Sequence, residues 1–421
     1  MLRVWAGNEA VGVLSRDSGG SGSTFAYDRE ADARNAVSLT MPKRPESWDV
    51  RRGLLPVFDM NVPEGMLKAK IFESFSKATG KFDEIDLLKV VGRSQIGRLR
   101  FTGMDETLDG EVPFASVDAI LKTATEPDYM ERLLEQFAFH SGVSGVQPKV
   151  LVRDDGQDET GLRKSVSLKG ATHIVKWWEA SEYQELAANE FFCMTVAREA
   201  GLDVPAFDLS DGGLALVVER FDKTDDGYLG FEDFCVLNGV QSRFKYDGGY
   251  ETKLFKRIRD FVSPEHLNDA LEQAFHTILL SCAIRNGDAH LKNFGVLYRD
   301  VDSPVRLAPV YDIVTTSAYI KDDIMALTLD GTKRWPDRKR LDILGTTRAM
   351  LRPQRIAEMV EQTCDAVSDV SARAADYFSE SRYPKTGFKM LSQWQAGVAS
   401  IGCDRTVHQV ALPEESQGPK P

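Results

Sequence analysis

The stretch Asn286–Asn293, with the sequence NGDAHLKN, places an acid, Asp288, and an amide, Asn293, five residues apart directly after a segment of helical periodicity. This spacing suits phosphoryl transfer, because the aspartate can accept the proton of an attacking hydroxyl while the asparagine coordinates a metal on the nucleotide phosphates. Asp312, which ends the next apolar segment, is the candidate for a second metal ligand. Taken alone, the pair is better explained as part of an ordinary loop, since both residue types favour loops.

The composition is typical of a globular protein with two or three domains. The chain has 421 residues, of which 42% are hydrophobic and 28% are charged, and this length exceeds what one hydrophobic core ordinarily serves. The formal net charge of -12 argues against direct wrapping of nucleic acid, which requires Lys and Arg to displace phosphate counterions. A local basic patch or a DNA-binding partner is compatible with this charge.

The cysteines and the apolar segments bear on the cellular compartment. The five cysteines are scattered and include no C-x-x-C pair, so the sequence predicts neither a disulfide framework nor a zinc site. The amino terminus lacks the sustained apolar core of a secretion signal, and no run of 18 apolar residues occurs. We therefore expect a cytoplasmic protein without a membrane partner.

Hydrophobic periodicity divides the chain into three parts. The first part has short strands at 2–6, 11–14 and 24–27 and becomes helical from Pro63 to Gly92. The second part has two strands, which end at 152 and 176, and a strand at 214–219. Between them lies a helix over 181–200 that begins with a capping box of Ser181 and Gln184. The third has a helix ending before Asn286, short strands at 294–298 and 305–311, and helices over 340–398. The predicted domains are 1–139, 140–255 and 256–405, followed by a disordered tail at 406–421.

Three further segments carry residues that suit a nucleotide. Gly142–Lys149 has two glycines and a following lysine, so its backbone N–H groups could approach phosphate oxygens, although a plain turn explains it better when it is taken alone. Lys176 ends a strand and Glu190 lies in the next helix, which predicts an ion pair that orients the lysine, or else two solvated side chains. Glu219–Asp222 follows an apolar strand and suits either an adenine-binding hinge or a polar strand end.

In this order and spacing, the motifs resemble the HipA toxin family of bacterial serine/threonine kinases. The strings that carry the resemblance are SGVQPK at 144–149, THIVK at 172–176, NE at 189–190, VERFD at 218–222, DAHLKN at 288–293 and PVYD at 309–312. In the amino-terminal part they are VGVLSRDSGG at 11–20, PEG at 63–65, DLL at 86–88 and GR at 92–93. The resemblance extends over roughly residues 2–400.

The resemblance implies an α+β fold of the two-lobed, protein-kinase-like (HipA-like) type, with a β-rich amino-terminal subdomain and a mostly helical carboxyl-terminal lobe. It implies ATP and Mg²⁺ as cofactors, Asp288 as the catalytic base, Asn293 and Asp312 as magnesium ligands, and Glu190 as the ion-pair partner of Lys176. The implied ATP-binding residues are Ser144, Gly145, Val146, Gln147, Lys149, Lys176, Glu219, Arg220, Phe221, His290, Lys292 and Tyr311.

Two residues depart from the family pattern. Gly142 stands where the family often has a serine whose autophosphorylation expels the loop, so we do not expect autoinhibition by that route. Pro148 replaces the acidic residue that commonly precedes the loop lysine, which removes one charge and one backbone donor and predicts weaker or altered ATP binding.

By the same resemblance, the expected function is that of an ATP/Mg-dependent serine/threonine protein kinase that is the toxin of a HipA/HipB-like pair. The expected partners are a HipB-like helix-turn-helix antitoxin, a translation component such as an aminoacyl-tRNA synthetase as the protein substrate, and DNA only through the antitoxin. Two alternatives stay open: a weakly active or inactive co-repressor bound to a DNA-binding antitoxin, and a small-molecule kinase.

Overall fold

The computed structural model describes residues 1–76, 82–108, 112–124, 127–154, 170–178 and 183–411. The chain forms two compact units, each assembled from segments that are separated in sequence. The first comprises Met1–Glu179, Pro205–Ala270 and His290–Pro309; the second comprises Ala180–Val204, Leu271–Ala289 and Val310–Pro421.

The described strands all belong to the first unit. They are β1 (Leu2–Ala6), β2 (Glu9–Arg16), β3 (Ser23–Tyr27), β4 (Trp48–Val50), β5 (Leu99–Thr102), β6 (Phe114–Ala115), β7 (Lys149–Asp154), β8 (His173–Trp177), β9 (Phe207–Leu209), β10 (Ala215–Glu219), β11 (Gly230–Asp233), β12 (Gly295–Tyr298) and β13 (Arg306–Leu307). They form three sheets with the orders β4-β3-β2-β1-β5, β6-β7-β8-β10-β9 and β11-β12-β13. The β6–β7 pair is parallel and the other named pairs are antiparallel.

The helices are divided between the two units. Those of the first unit are α1 (Pro56–Asp59), α2 (Gly65–Ser76), α3 (Glu84–Val91), α4 (Val117–Thr123), α5 (Pro127–Phe137), α7 (Phe234–Leu237) and α8 (Lys256–Phe261). Those of the second are α6 (Leu186–Glu199), α9 (Leu267–Ala283, whose first turn lies in the first unit), α10 (Arg338–Thr347), α11 (Pro353–Glu380) and α12 (Pro384–Ser400). In the described parts of the chain, no helix is both long enough and apolar enough to cross a membrane.

The amino-terminal sheet forms as the alternating pattern predicts. Leu2, Val4 and Ala6 on β1 are buried, while the residues between them are partly exposed. The buried face packs on a chain of edge-to-face aromatic contacts in which Phe58 of α1 lies 5.2 Å from Phe25 and 5.7 Å from Phe101, measured between ring centroids. The predicted strands at 2–6, 11–14 and 24–27 are confirmed within β1, β2 and β3.

The predicted hairpin after Asn293 is confirmed, but its second strand is shorter than expected. Val296 of β12 pairs with Leu307 of β13, whereas the strand predicted over 305–311 contains only two paired residues. Pro304 and Pro309 flank this strand, and proline cannot donate a hydrogen bond to a neighbouring strand.

The helix predicted over 181–200 begins later, at Leu186. Tyr183 and Glu185 have left-handed backbones, with φ of 50° and 62°, and a right-handed helix cannot run through such residues. Ser181 of the expected capping box lies outside the described residues. The helices predicted over 340–398 are confirmed as α10, α11 and α12.

The end of the described chain packs against the helices of the second unit. Val407 and Val410 are buried, and the Val407 N–H donates to Gln395 of α12, so order extends past the predicted start of the tail at 406.

The structure also pairs Cys364 of α11 with Cys403 as a disulfide. The spacing of the cysteines in the sequence did not predict this pair. The two residues are 39 apart, and such a separation gives no local signal that they are close in space.

A buried ion pair anchors the end of β10. The Arg220 guanidinium binds both carboxylate oxygens of Asp222, at 2.9 and 2.7 Å, and donates to the carbonyl of Gln95. Asp222 in turn accepts the N–H of Gly97 at 2.6 Å. Both charged side chains are at most 2% exposed, so each depends on the other for its charge to be compensated.

We expect Asp222→Ala to lower the free energy of unfolding by about 3–5 kcal/mol, because it leaves the buried Arg220 charge uncompensated. Urea titration followed by tryptophan fluorescence measures the change. The matched control is Glu361→Ala, which removes an exposed ion pair with Arg405 and should leave the stability almost unchanged. Equal effects of the two substitutions would contradict the assigned role of the buried pair.

Candidate active site

The loop Gly142–Pro148 packs tightly at both of its glycines. At Gly145 the backbone has φ +123°, and the Lys149 ammonium lies so close that a Cβ would overlap it. At Gly142 a Cβ would overlap the Gln95 side chain and lie 2.6 Å from the carbonyl oxygen of Ser94. Packing against residues 94 and 95 therefore requires glycine at position 142.

Two buried lysines face each other next to this loop. Lys149 at the start of β7 is paired directly with Lys176 of β8, so their side chains leave the sheet on the same face. Their exposed fractions are 5% and 6%. Like charges at directly opposed positions repel each other, and a bound polyanion such as a triphosphate offsets that repulsion.

Lys292 joins three other segments of the first unit. Its ammonium donates to the carbonyl of Met60 at 2.9 Å, to Ser144 Oγ at 2.7 Å and to Ser242 Oγ at 3.1 Å. An ammonium has three protons and no acceptor, so it can donate to all three of these oxygens at once. The predicted nucleotide neighbour is thus a structural link between the loop at 288–293 and the loop at 142–148.

Two carboxyl groups lie in the field of Lys292. Burial by itself raises the pKa of Glu64, but the Lys292 ammonium, a hydrogen bond from Ser144 and the charges of Lys245 and Lys149 together hold that pKa below its usual value. For Asp233 the balance is opposite, since burial outweighs the attraction of Lys292 and raises the pKa to about 6.

The loop that carries Asp288 is tied to residues 315–317 within the second unit. The Asp288 N–H donates to the side-chain oxygen of Asn286 at 3.0 Å, and the Gly287 N–H donates to Thr316 Oγ1 at 2.6 Å. Ser317 Oγ donates to the carbonyl of Arg285 at 3.1 Å. The position of the proposed base therefore depends on the segment that follows Asp312.

That segment is itself fixed by a buried network. Asp312 has a left-handed backbone, with φ +59°, a conformation that is rare outside glycine and is found preferentially at functional sites. Asn189 of α6 accepts the Thr315 N–H at 2.8 Å and donates to the Thr315 carbonyl at 3.2 Å. Thr315 Oγ1 accepts from the Trp394 indole at 2.7 Å, and all three partners are fully buried.

The predicted adenine-binding hinge has most of its polar groups occupied. The N–H groups of Glu219 and Arg220 donate to the carbonyls of Ala206 and Thr172. The Glu219 carboxylate pairs with Lys223, and the Arg220 side chain belongs to the buried pair described above. In this arrangement neither N–H group nor the Arg220 side chain is available for an adenine.

The remaining predicted residues differ in exposure. Val146 is 63% exposed, whereas Glu190, His290 and Asn293 are buried. The His290 ring lies 5.0 Å from the ring of Tyr246. Gln147 donates to the carbonyl of Trp177 at 3.4 Å, Phe221 packs 5.7 Å from Phe231, and Tyr311 is half-buried.

The two units share the predicted site residues between them. The first unit contains the loop 144–149 with Lys176, Glu219–Phe221, His290, Lys292 and Asn293; the second contains Glu190, Asp288, Tyr311 and Asp312. The Lys176–Glu190 ion pair and the joint metal site of Asn293 and Asp312 stay predictions. In the described ranges, no three His, Cys, Asp or Glu side chains cluster as metal ligands would.

Four residues that position these loops were not predicted from the sequence: Glu64, Met60, Ser242 and Asn189. Glu64 and Asn189 stand in motifs that carried the family resemblance, and this membership was the only available signal of their importance. Met60 and Ser242 had none, because Met60 contributes a backbone carbonyl and Ser242 is one of many loop serines.

Comparison with known proteins decides the family. A model of the HipA-like C-terminal domain matches residues 141–371, and a model of the HipA N-terminal domain matches residues 2–102. The chain belongs to the HipA family. This confirms the resemblance that the motifs indicated.

Curated relatives match along most or part of the chain. The protein named "Putative kinase Y4mE" of Sinorhizobium fredii is 27% identical over 90% of this chain and 94% of its own length. "Putative kinase Y4dM" of the same organism is 32% identical, but that match covers 47% of this chain and only half, 50%, of the relative. The serine/threonine-protein kinase toxin HipA of Shewanella oneidensis is 25% identical over 76% of each chain.

A solved structure confirms the fold. A chain from the Shewanella oneidensis complex of HipA, HipB and operator DNA superposes with a TM-score of 0.63 at 18% identity, covering 95% of this chain and 98% of that one. The fold is therefore the α+β, two-lobed, protein-kinase-like fold of HipA, as expected from the sequence.

We expect Asn189→Ala to lower the free energy of unfolding by about 2–4 kcal/mol, because the buried N–H and carbonyl of Thr315 each lose a partner. Urea titration measures the change, with exposed Asn268→Ala as the matched control. If Asn189→Ala were as stable as the control variant, the anchoring role of this amide would be wrong.

Proposed function

We propose that this HipA-family protein is an ATP- and magnesium-dependent protein kinase that phosphorylates a serine or threonine hydroxyl. The observation that carries the proposal is the pair of buried, directly opposed lysines, Lys149 and Lys176, beside the glycine loop at 142–148. Such a concentration of buried positive charge suits the polyphosphate of a nucleotide. Family membership and the kinase names of the relatives support the same chemistry.

In the proposed mechanism, Lys149 and Lys176 bind phosphate oxygens and the backbone of Ser144–Gln147 covers them. Asp288 orients the acceptor hydroxyl and takes its proton, while the hydrogen bond from its N–H to Asn286 holds the loop. The amide oxygen of Asn293 and the carboxylate of Asp312 are the hard donors that Mg²⁺ prefers, so these two residues would hold the ion. When bound, magnesium neutralises charge on the β- and γ-phosphates.

The biological role that we propose is that of the toxin in a toxin–antitoxin pair. Its partner is a HipB-like helix-turn-helix protein, through which the complex reaches DNA, and its substrate is a component of translation in the cytoplasm. The support is similarity to the HipA chain whose solved complex contains HipB and operator DNA. The net charge of -12 suits indirect rather than direct contact with DNA.

We expect Asp288→Asn to reduce the rate of phosphate transfer about 10²- to 10⁴-fold, because it removes the proposed general base. This corresponds to a loss of roughly 3–5 kcal/mol of transition-state stabilisation. ATP affinity and thermal stability should stay at the parent values. The assay is transfer of label from γ-labelled ATP to lysate proteins, with exposed Asp369→Asn as the control.

The labelled products distinguish the proposed function from its alternatives. A labelled protein band that disappears with Asp288→Asn supports the protein kinase, whereas a labelled metabolite indicates a small-molecule kinase. Absence of any label, together with binding to an antitoxin, indicates a non-catalytic co-repressor. Equal labelling by the parent and Asp288→Asn would remove Asp288 as the base.

We expect Asp312→Ala to abolish the dependence of nucleotide affinity on magnesium, because it removes the only charged ligand in the proposed set. Titration calorimetry with ATP, in Mg²⁺ and in EDTA, measures this dependence. The parent and Asp369→Ala should bind more tightly in Mg²⁺. An Asp312→Ala variant that keeps the full magnesium effect would exclude this residue as a ligand.

A further inference from the structure

A directional chain of hydrogen bonds connects Lys292 to Glu64 through the hydroxyl of Ser144. Lys292 can only donate and an ionised Glu64 can only accept. Ser144 Oγ must therefore accept from Lys292, at 2.7 Å, and donate to Glu64 Oε1, also at 2.7 Å. The Glu64 carboxylate lies 3.8 Å from the Lys292 ammonium, so the three groups close into one charge-compensated cluster.

The residue after Glu64 contacts the same loop through its backbone. Gly65 has φ +53°, and a Cβ at this position would lie 2.5 Å from the carbonyl oxygen of Val146 and 3.1 Å from its Cα. Glycine allows this approach because it has no Cβ. The turn that starts α2 therefore touches the loop at two points, namely Ser144 by a side chain and Val146 by main-chain packing.

We propose that Glu64 is a positioning residue for the phosphate loop, and that through Ser144 it lets the amino-terminal subdomain set the affinity for ATP. This inference rests on the proposed kinase function. It assigns a role to Glu64, which takes no part in the catalytic mechanism proposed above. Glu64 does not contact the reacting atoms. Its effect is to hold the loop 142–148 in the nucleotide-binding conformation before ATP arrives, so that less conformational entropy is lost on binding.

The hydrogen bonds around Glu64 indicate that its carboxylate positions the loop and does not compete with a bound phosphate. A carboxylate that merely filled an empty anion site would take direct hydrogen bonds from the lysines around it. Instead, the Lys292 protons go to Met60, Ser144 and Ser242, and Glu64 accepts a hydrogen bond from the loop serine. Lys149 and Lys245 act on Glu64 through their charges.

The test compares Glu64→Ala, Glu64→Gln and Ser144→Ala in the full-length protein. We expect Glu64→Ala to raise the Kd and KM for ATP about 10-fold, equivalent to about 1.4 kcal/mol, with kcat within about twofold of the parent. Amide hydrogen exchange of the peptide 141–149 should become faster by a similar factor. Glu64→Gln, which can still accept from Ser144, should retain most of the parent affinity.

A double-mutant cycle tests the route through the serine. In the Ser144→Ala background, Glu64→Ala should have little further effect on the Kd for ATP, because the shared hydrogen bond is already absent. Gly65→Ala should weaken ATP binding in the same direction as Glu64→Ala, since it displaces the loop at Val146. Exposed Glu46→Ala in the same subdomain is the matched control and should behave as the parent.

Each other outcome has a defined meaning. Parent values of both Kd and hydrogen exchange in Glu64→Ala would overturn the inference, as would tighter ATP binding, which would mean that the carboxylate competes with phosphate. If the parent itself fails to bind ATP, the proposed function fails instead. In that case hydrogen exchange still decides whether Glu64 holds the loop.

Discussion

The three hydrogen bonds of the Lys292 ammonium hold together the parts of the first unit that surround the proposed phosphate loop. They reach the end of α1 at Met60, the loop at Ser144 and the turn at Ser242. Lys292 is partly buried, and an ammonium that loses contact with water is costly unless oxygen acceptors replace that water. Each of the three segments must therefore present an oxygen at the same point, and a shift of one of them would leave part of the charge uncompensated. The lysine in the loop after Asp288 thus links the amino-terminal subdomain to that loop.

The second unit positions its two proposed catalytic carboxylates by a different means, a network of mostly neutral groups. Two consecutive residues fix the two loops. Thr315, in the segment after Asp312, is bound by Asn189 and Trp394. Thr316 accepts the Gly287 N–H next to Asp288. Fully satisfied buried amides and hydroxyls fix a unique arrangement with little electrostatic cost. The loops of Asp288 and Asp312 are therefore linked through consecutive residues of one hydrogen-bonded segment.

The fold was largely predictable because its signals are local. The alternation of apolar and polar residues predicted β1 to β3, and the helical spacing of apolar residues predicted α9 to α12. The start of α6 was wrong, since left-handed residues at 183 and 185 leave no mark on an apolar pattern. The role of Lys292 was only partly predictable: its motif indicated the site, but its acceptors come from residues 60, 144 and 242, and contacts over such separations are not readable from one sequence. The catalytic and metal-binding roles of Asp288, Asn293 and Asp312 stay predictions.

Pro148 departs from the family pattern, and the structure shows what its backbone does in the sheet. From the sequence we expect weaker or altered ATP binding, because proline removes a backbone donor and an acidic charge. In the structure the carbonyl of Pro148 accepts the Trp177 N–H at 3.1 Å, so the proline continues the β7–β8 pairing through its acceptor. The fixed φ of proline also reduces the conformational freedom of the loop. The effect of Pro148 on ATP affinity stays a prediction.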